Sequence, residues 1–473
     1  MRCSLTNLEL FVTTALIASF SAVVTLLLGY PVGLWLATLR RSRKLVTSVL
    51  LVPFLLPAFL IGLSFRSLLG EVLDDSRVAA VAVIGAHALM NTGFVAVITA
   101  ASLVPRDQVD AASLDGASPG QIRRLVELPQ QLPALSAAGL LVGLYSATSF
   151  GLIVTLGQGS IHTLETGIAV AALQVLDLRT AGVLAGLQSI LTVAFFLISA
   201  RLGARPTVLF GDSPPRPDRA PVGMALGVVV VGFIVWLLGG VFYRAVTAGP
   251  GLLENVGNLA GRGARDILNL SVVDALGNSL RNLVIAVTLS MLLAWWLSSK
   301  RVGLAVLAPV GISPVVLGLG ALVLSGYLPP GIAGSWVLLP LVQAVFLLPL
   351  AFQIIAPARK SLSGELVDAA RIDGASSVQI AGFIELPSLA RPLVAAAAVV
   401  SLGSLGEFGA ARFLAYGSDQ TLPLVMFRLM ARPGGENLGM AMVAASAFIV
   451  VAMAVVWVVS STRVEPREPV SDA

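Results

Sequence analysis

Long apolar runs alternate with short polar stretches along the whole chain, and this pattern predicts membrane-spanning helices. Runs of about 20 or more residues match the length needed to cross a hydrocarbon core of about 30 Å. The predicted spans lie at about 8–39, 45–67, 78–104, 134–157, 180–200, 222–244, 276–299, 303–326, 335–356, 391–414 and 438–461. Because the runs are continuous, they do not fit the alternating strands of a β-barrel. The predicted fold class is all-α, a polytopic membrane protein with about 11 transmembrane helices.

The most polar stretch of the chain occurs twice. VDAASLDGASPGQIRRLVELP at 109–129 and VDAARIDGASSVQIAGFIELP at 367–387 agree at 13 of 21 positions without a gap. The register extends further, since Phe150-Gly151 and Phe408-Gly409 are also 258 residues apart, and Pro57 corresponds closely to Pro314. Both copies follow a helix of the same direction, which predicts parallel, pseudo-symmetric halves related by an axis along the membrane normal.

The predicted halves are 1–205, with five helices, and 222–473, with six; the helix at 222–244 has no partner in the first half. They are joined at 206–221, within RLGARPTVLFGDSPPRPDRAP, whose five prolines and four arginines exclude a membrane span. With the loop after the first helix in the cytoplasm, 19 of the 30 basic residues fall inside. This predicts an external N-terminus and a cytoplasmic C-terminus, whereas a twelfth helix upstream would put the N-terminus inside.

Composition narrows the class further. The chain is 57% hydrophobic and 12% charged, about half the charge of a soluble domain. The net charge of +5 is explained by cytoplasmic loops, so no nucleic-acid partner is predicted. One cysteine, Cys3, and two distant histidines predict neither an internal disulfide nor a metal site. His87 and Asn91, one turn apart, are expected to form hydrogen bonds across helices.

Each polar repeat predicts a helix, a break and a second helix. Asp110 is expected in the first turn, where the helix dipole favours an acid, and Gly116 in a left-handed helix end. The second piece is predicted to place three apolar residues on one side and to end at Pro129. These apolar residues are Ile122, Leu125 and Val126. A small-faced helix outside the membrane suits docking on another protein.

The pattern acid-Ala-Ala, a glycine six residues after the acid, and then Leu-Pro resembles the EAA loop of ABC importer permeases. In that family the loop forms a coupling helix that enters a cleft of the ATP-binding subunit. The resemblance assigns this role to loops 105–133 and 357–391, and within them to Asp110, Ala111, Ala112, Gly116, Pro129, Asp368, Ala369, Ala370, Gly374 and Pro387. Both copies have Asp where the family has Glu.

The resemblance implies a type I ABC importer permease fold in the bacterial inner membrane. It also implies two copies of an ATP-binding subunit, which hold ATP and Mg, and an extracytoplasmic substrate-binding protein. The sequence contains no G-x-x-x-x-G-K-[ST] phosphate loop and no catalytic constellation. The chain is therefore predicted to be a permease subunit without cofactors or enzyme activity, dependent on a partner for ATP hydrolysis.

Two strings resemble the fused permeases of thiamine importers. They are TSFGLIVTLGQGSIHTLETG, beginning at Thr148, and SLGEFGAARFLAYGSDQTLPL, beginning at Ser404. Fused ferric-iron permeases share the architecture, although relatives usually have six helices in each half. Thiamine is the favoured solute, with ferric iron or polyamine as alternatives. A secondary transporter is less favoured, because Glu407 is almost the only acid inside a predicted span.

Glu407 is a candidate for the substrate pathway, because a carboxylate inside an apolar run is costly. Its equivalent in the first half is Ser149, so the pseudo-symmetry breaks there. The alternative is a structural salt bridge from Glu407 to Arg412 or Arg428. Four glycines are expected to allow close helix packing rather than contact substrate. They are Gly143, Gly151, Gly403 and Gly406.

Overall fold

A computed structural model of the chain describes residues 6–461 except 158, 202–219, 301–305, 307–308, 310, 330–331, 333–334, 363 and 433. All regular secondary structure in the described part is helical. The predicted linker therefore lies outside the described residues up to position 219.

The first half contains seven labelled helices: α1 Asn7–Thr38, α2 Arg43–Leu55, α3 Ala58–Leu69, α4 Ser76–Ala101, α5 Arg106–Leu114, α6 Leu128–Ala147 and α7 Leu178–Arg201. The second contains α8 Pro221–Thr247, α9 Val272–Ser298, α10 Pro314–Ser325, α11 Ser335–Lys360, α12 Gly364–Ile372, α13 Ala390–Leu405 and α14 Gly435–Ser461. Shorter α-helical pieces are Pro119–Gln121, Phe150–Gly157, Leu164–Val170, Leu252–Asn258, Ser377–Gln379, Leu386–Ser388, Ala411–Leu414 and Leu422–Met430. Three segments are π-helical: Ile122–Glu127, Ala171–Val175 and Ile380–Glu385. Short 3₁₀ turns occur at Gly70–Asp74, Ala264–Asp266 and Gly417–Asp419.

The helices long and apolar enough to cross a membrane are fewer than the predicted eleven. Within the described residues there are eight, or ten if two bent pairs each count as one span. The first pair, α2 and α3, is bent by 93°. Pro57 causes this break, because a residue before proline is held out of the helical region, and Leu56 is extended. Among the described residues of the predicted span 303–326, the only labelled helix is the 12-residue α10.

The directions of neighbouring helices nevertheless show that the chain must run between the two ends of the bundle two more times. Gly29 of α1 lies against Val95 of α4, and Gly33 lies against Thr99, so α1 and α4 are parallel. In the second half the last turns of α9 and α11 meet, where Arg359 donates to the Trp295 carbonyl at 3.1 Å. Since both pairs are parallel, the chain must run back to the opposite end between their members, through α2–α3 in the first half and, among the described residues of the second half, through α10.

The pseudo-symmetry is visible in individual hydrogen bonds. The Thr14 hydroxyl of α1 accepts a bond from the Leu164 amide at 2.9 Å. Its counterpart, the Ser279 hydroxyl of α9, accepts one from the Leu422 amide at 2.8 Å. The first helices are offset by 265 residues and the later elements by 258. The first half therefore has extra chain between these elements, where α2 lies.

Two expectations about packing inside the bundle were tested by the structure. A β-carbon would come within 3.2 Å of a neighbouring side chain or backbone at each of the four predicted glycines, Gly143, Gly151, Gly403 and Gly406, which confirms close packing there. His87 of α4 forms a hydrogen bond with the Ser21 hydroxyl of α1 at 3.1 Å, as expected. The expectation was wrong for Asn91, whose amide donates to the His87 carbonyl within the same helix.

Candidate functional site

Both polar repeats contain a helix that ends at a left-handed glycine, as predicted. After α5 the Gly116 backbone has φ of +84°. The Ala117 amide donates to the Ala112 carbonyl at 3.1 Å, and the Gly116 amide to the Ser113 carbonyl at 3.0 Å. These two bonds form the Schellman motif that satisfies the last carbonyls of a helix. The second repeat has the same two bonds around Gly374, whose φ is +83°.

A capping box starts the second helical piece of each loop. The Ser118 amide donates to the Gln121 side chain at 2.8 Å, and the Ser118 hydroxyl accepts from the Gln121 amide. Ser376 and Gln379 form the same box in the second loop. The next residue, Ile122 in one loop and Ile380 in the other, is buried. Each loop is thus a self-supporting unit with one apolar anchor.

Three details of the predicted loops were wrong. Asp110 lies in the second turn of its helix, because α5 begins at Arg106 and Asp107 occupies the first turn. Ile122, Leu125 and Val126 do not share a buried face, because the π-helical segment changes the angle between successive residues and leaves Leu125 68% exposed. Pro129 does not end a helix, because it lies at the second position of α6.

The motif acids have only local partners. Arg106 and Asp110 are 4.0 Å apart, and Arg371 and Asp368 are 2.9 Å apart, with all four side chains more than half exposed. Exposed pairs of this kind contribute about 1 kcal/mol or less to stability. The fold therefore does not depend on either acid, and both remain accessible to another protein.

Exposed apolar side chains lie beside the motif acids. We define the first docking surface as Asp110, Ala111, Leu114 and Leu125, and the second docking surface as Asp368, Ala369, Ile372 and Phe383, all of which are exposed. Phe383 also lines a shallow groove with Asp373, Gly374, Ala375, Gln379, Ile380 and Ile384. Exposed apolar residues rimmed by charge are typical of protein interfaces.

The two halves meet at a cluster of aromatic rings. Phe150 and Phe408 are equivalent in the repeat, and their ring centroids are 5.7 Å apart. Phe408 also contacts Phe59 at 5.5 Å and Phe427 at 5.3 Å. We call these four residues the aromatic seal. Because Phe150 and Phe408 are related by the repeat, the pseudo-symmetry axis passes between them.

The two predicted pathway residues flank the seal, one in each half. Ser149 precedes Phe150, and within the described chain its hydroxyl has no hydrogen-bond partner. Glu407 precedes Phe408, is buried, and accepts hydrogen bonds from the Ala410 amide at 2.6 Å and the Ala411 amide at 3.0 Å. The alternative of a salt bridge to Arg412 or Arg428 was wrong, because the carboxylate instead binds the backbone that opens Ala411–Leu414.

Sequence reasoning missed a second buried acid. Glu165, near the start of Leu164–Val170, is 0% exposed. Its carboxylate lies near the Ser313 side chain, at the start of α10 in the second half, but within the described residues neither oxygen has a hydrogen-bond partner. The repeat could have drawn attention to Glu165, because the equivalent position in the second half is Pro423 and the acid therefore has no counterpart there. In the part of the chain that the structure describes, no group of three His, Cys, Asp or Glu side chains is arranged to hold a metal ion.

Comparison with known proteins identifies similar chains. The family model described as binding-protein-dependent transport system inner membrane component matches residues 29–248. The molybdenum transport system permease protein of Haemophilus influenzae is 32% identical over 188 residues, which cover 36% of this chain and 81% of that protein. The thiamine transport system permease protein of Escherichia coli is 26% identical over 356 residues, 69% of this chain and 62% of that protein. A putative 2-aminoethylphosphonate transport system permease protein of Salmonella typhimurium is 28% identical over 215 residues, 41% and 75% respectively.

Proposed function

Since the chain belongs to the family of binding-protein-dependent transport system inner membrane components, we propose that it supplies both halves of the membrane pathway of an ATP-driven importer in one polypeptide. The repeat is the observation that supports this proposal most directly. It gives two equivalent exposed loops, each attached to one of two halves that meet at the aromatic seal. A solute delivered by an extracytoplasmic binding protein would pass between the halves when the seal opens.

The proposed partners on the loop side are two copies of an ATP-binding subunit, which bind ATP and Mg. Support comes from the matched geometry of the loops, because one type of cleft can accept both docking surfaces. The shared features are the left-handed glycine, the motif acid and an exposed apolar residue at equivalent positions. Leu125 and Phe383 are such a pair, 258 residues apart.

Charge introduced at the docking surfaces tests this partnership. We expect Leu125→Glu and Phe383→Glu each to weaken co-purification of the ATP-binding subunit, because a carboxylate would have to be desolvated in the interface. Leu253→Glu is the matched control, since Leu253 is at least as exposed as Leu125 and Phe383 but lies in Leu252–Asn258, away from both loops. Co-purification of one ATP-binding subunit per chain, or no loss in either loop variant, contradicts the proposal.

We propose thiamine as the solute, with ferric iron or polyamine as the alternatives. Similarity to a thiamine permease extends over more of this chain than the other two similarities do. Glu165, buried where the halves meet, would supply a negative charge for a cationic solute once the halves separate. Ser149 and Glu407 would border the same pathway, since each adjoins a ring of the seal.

One observation favours a second candidate, an anionic solute. Arg412 and Arg428 are neighbouring and partly buried, so their charges repel each other in a poorly solvated site. Within the described chain, neither guanidinium lies in a salt bridge with an acid. An oxyanion bound between them would relieve this repulsion. The relatives named for molybdenum and 2-aminoethylphosphonate transport are also permease proteins, which supports this second candidate.

Ligand binding by the cognate binding protein decides between these solutes. Calorimetric titration with thiamine, ferric iron, spermidine, molybdate and 2-aminoethylphosphonate should give tight binding of thiamine alone. Tight binding of an oxyanion would favour the second candidate, and Arg412→Gln should then raise the KM for uptake. Binding of neither thiamine nor another cation would overturn the first candidate.

A further inference from the structure

One arginine fastens the second loop to the membrane helices. Arg359, in the last turn of α11, donates from Nη2 to both carboxylate oxygens of Glu385, at 2.6 and 2.8 Å, and from Nε at 3.1 Å. Its Nη1 donates to the Trp295 carbonyl at 3.1 Å and to the Ser298 hydroxyl at 3.2 Å. These five bonds match the five N–H donors of a guanidinium group.

The contact is well shielded and joins three elements. The Arg359 and Glu385 side chains are only 19% and 11% exposed. The guanidinium also lies 4.6 Å from the centre of the Trp295 ring, a cation–π contact. Arg359 belongs to α11, Trp295 to α9, and Glu385 to the π-helical segment of the loop. A planar, fully bonded guanidinium fixes both distance and orientation among them.

The first half has no arginine at the position equivalent to Arg359. The position equivalent to Arg359 is Ala101, which has no charge. There α1 and α4 approach closely through Gly33, where a β-carbon would lie 2.6 Å from the Ala96 carbonyl. The loop contacts α1 through exposed Arg123, whose guanidinium lies 5.4 Å from the Tyr30 ring centre. Tyr30 is the counterpart of Trp295 at the offset of 265 residues.

A difference in helix continuity explains why the second half needs the contact between Arg359 and Glu385. In the first half the helical run Pro119–Ala147 connects the loop to the membrane without interruption. In the second half the equivalent run is bent by 77° between Ser377–Ser388 and α13. Leu389, at the break, has φ of −99° and ψ of 7°. Glu385 lies just before this break, so Arg359 bypasses the bend by tying the loop directly to α9 and α11.

We propose that Arg359 is a positioning residue that transmits movement of the second docking surface to the second half of the pathway, a role that rests on the proposed ATP-driven function. Movement in the first half travels along the continuous helix Pro119–Ala147. The two halves are therefore driven by different mechanical links, although their loops have the same fold.

The test uses the full complex, with ATP-binding subunits and binding protein, in lipid nanodiscs. Spin labels at Val72 and Tyr327 report the separation of equivalent ends of the two halves, just after α3 and just after α10. Both positions are exposed, and Cys3→Ser removes the one native cysteine. The distance between labels is measured with and without ATP for the parent protein, Arg359→Gln, Arg359→Lys and Glu385→Gln. Glu127→Gln is the matched control, because Glu127 is the counterpart of Glu385 in the continuous helix.

Arg359→Gln and Glu385→Gln should retain two ATP-binding subunits per chain but lose most of the ATP-dependent distance change. Their binding-protein-stimulated ATP hydrolysis should fall by about fivefold or more, the lower end of ordinary coupling between sites. Arg359→Lys keeps the positive charge but not the planar set of five N–H donors, so its distance change and its ATP hydrolysis should be intermediate. This variant is used for the test if Arg359→Gln cannot be purified. A full distance change in Arg359→Gln, an equal loss in Glu127→Gln, or loss of the ATP-binding subunits would each overturn the role. Absence of ATP-binding subunits from the parent complex would instead overturn the proposed function.

Discussion

Many of the letters shared by the two repeats are explained by the fold of the loop itself. Six of the identical positions supply the Schellman motif, the capping box and the buried anchor: Ala112, Gly116, Ala117, Ser118, Gln121 and Ile122. Asp110 and Ala111 have no such role, because both are exposed and Asp110 has only a weak local ion pair. Identity that the loop does not need for folding is available for recognition by a partner.

The left-handed glycines give the sharpest prediction at this scale. At Gly116 and Gly374 a β-carbon would have no neighbour within 4 Å, so alanine costs only backbone strain, about 1 kcal/mol. Gly116→Ala and Gly374→Ala should preserve membrane insertion but reduce association with the ATP-binding subunit and transport. Gly382→Ala, in the same loop with a helical backbone and no neighbour within 4 Å, should be harmless. Unchanged transport in the Gly116→Ala/Gly374→Ala double variant would refute the prediction.

Glu407 should act through the backbone rather than through solute charge. Its two oxygens accept the Ala410 and Ala411 amides, whereas glutamine has one acceptor oxygen and would leave a buried amide unpaired. Glu407→Gln should therefore lower stability by about 1–3 kcal/mol, seen as a lower thermal midpoint. The KM for uptake should stay unchanged. A raised KM with an unaltered thermal midpoint would assign Glu407 to solute binding instead.

At the scale of helices, the apolar runs predicted where membrane helices lie but not where they break. Pro57 was visible in the sequence, yet a proline alone does not show whether a helix ends or bends. The π-helical segment that exposes Leu125 has no signature in hydrophobic periodicity. Arg359 and Glu385 are 26 residues apart, and their pairing depends on how the loop folds back on the end of α11. Local patterns do not contain that tertiary information.

Helix contact in the first half predicts opposite effects for two glycines. At Gly33 a β-carbon would lie 2.5 Å from Thr99, so Gly33→Ala must push α1 and α4 apart and should destabilise the protein by about 1–3 kcal/mol. Gly85 of α4 has no neighbour within 4 Å, and alanine favours helix by about 1 kcal/mol. Thermal unfolding in detergent should thus show a lower midpoint for Gly33→Ala and no decrease for Gly85→Ala. Equal midpoints would contradict this account of packing.

At the scale of the whole molecule, the seal is the place where the halves close on each other. Phe408 contacts three other rings, so Phe408→Ala should leave a gap on the pseudo-symmetry axis. Proteoliposomes carrying this variant should release radiolabelled thiamine without ATP. Phe54→Ala is the control, because Phe54 stacks on Phe94 at 5.1 Å within the first half. Leakage from the control, or none from Phe408→Ala, would place the barrier elsewhere.

The directions of the helices support a prediction about the membrane topology of the whole chain. Gly223, near the start of α8, packs on Pro31 near the end of α1, so these helices are antiparallel. Gly249, just after α8, contacts Gly435 at the start of α14, so α8 and α14 are antiparallel too. It follows that α1 and α14 run in the same direction, and the chain enters and leaves the bundle at opposite ends.

The excess of basic residues predicts that the loop end lies in the cytoplasm and the N-terminus outside. Cys3, which lies outside the described residues, provides a direct probe in whole cells. An impermeant maleimide should label Cys3 and, in a Cys3→Ser background, Tyr327→Cys. Leu114→Cys should react only after the membrane is permeabilised, since Leu114 belongs to the first docking surface. Labelling of Leu114→Cys in intact cells would invert the orientation. Protection of both Cys3 and Leu114→Cys would instead mean that the chain crosses the membrane an even number of times between these two positions, because both would then lie inside.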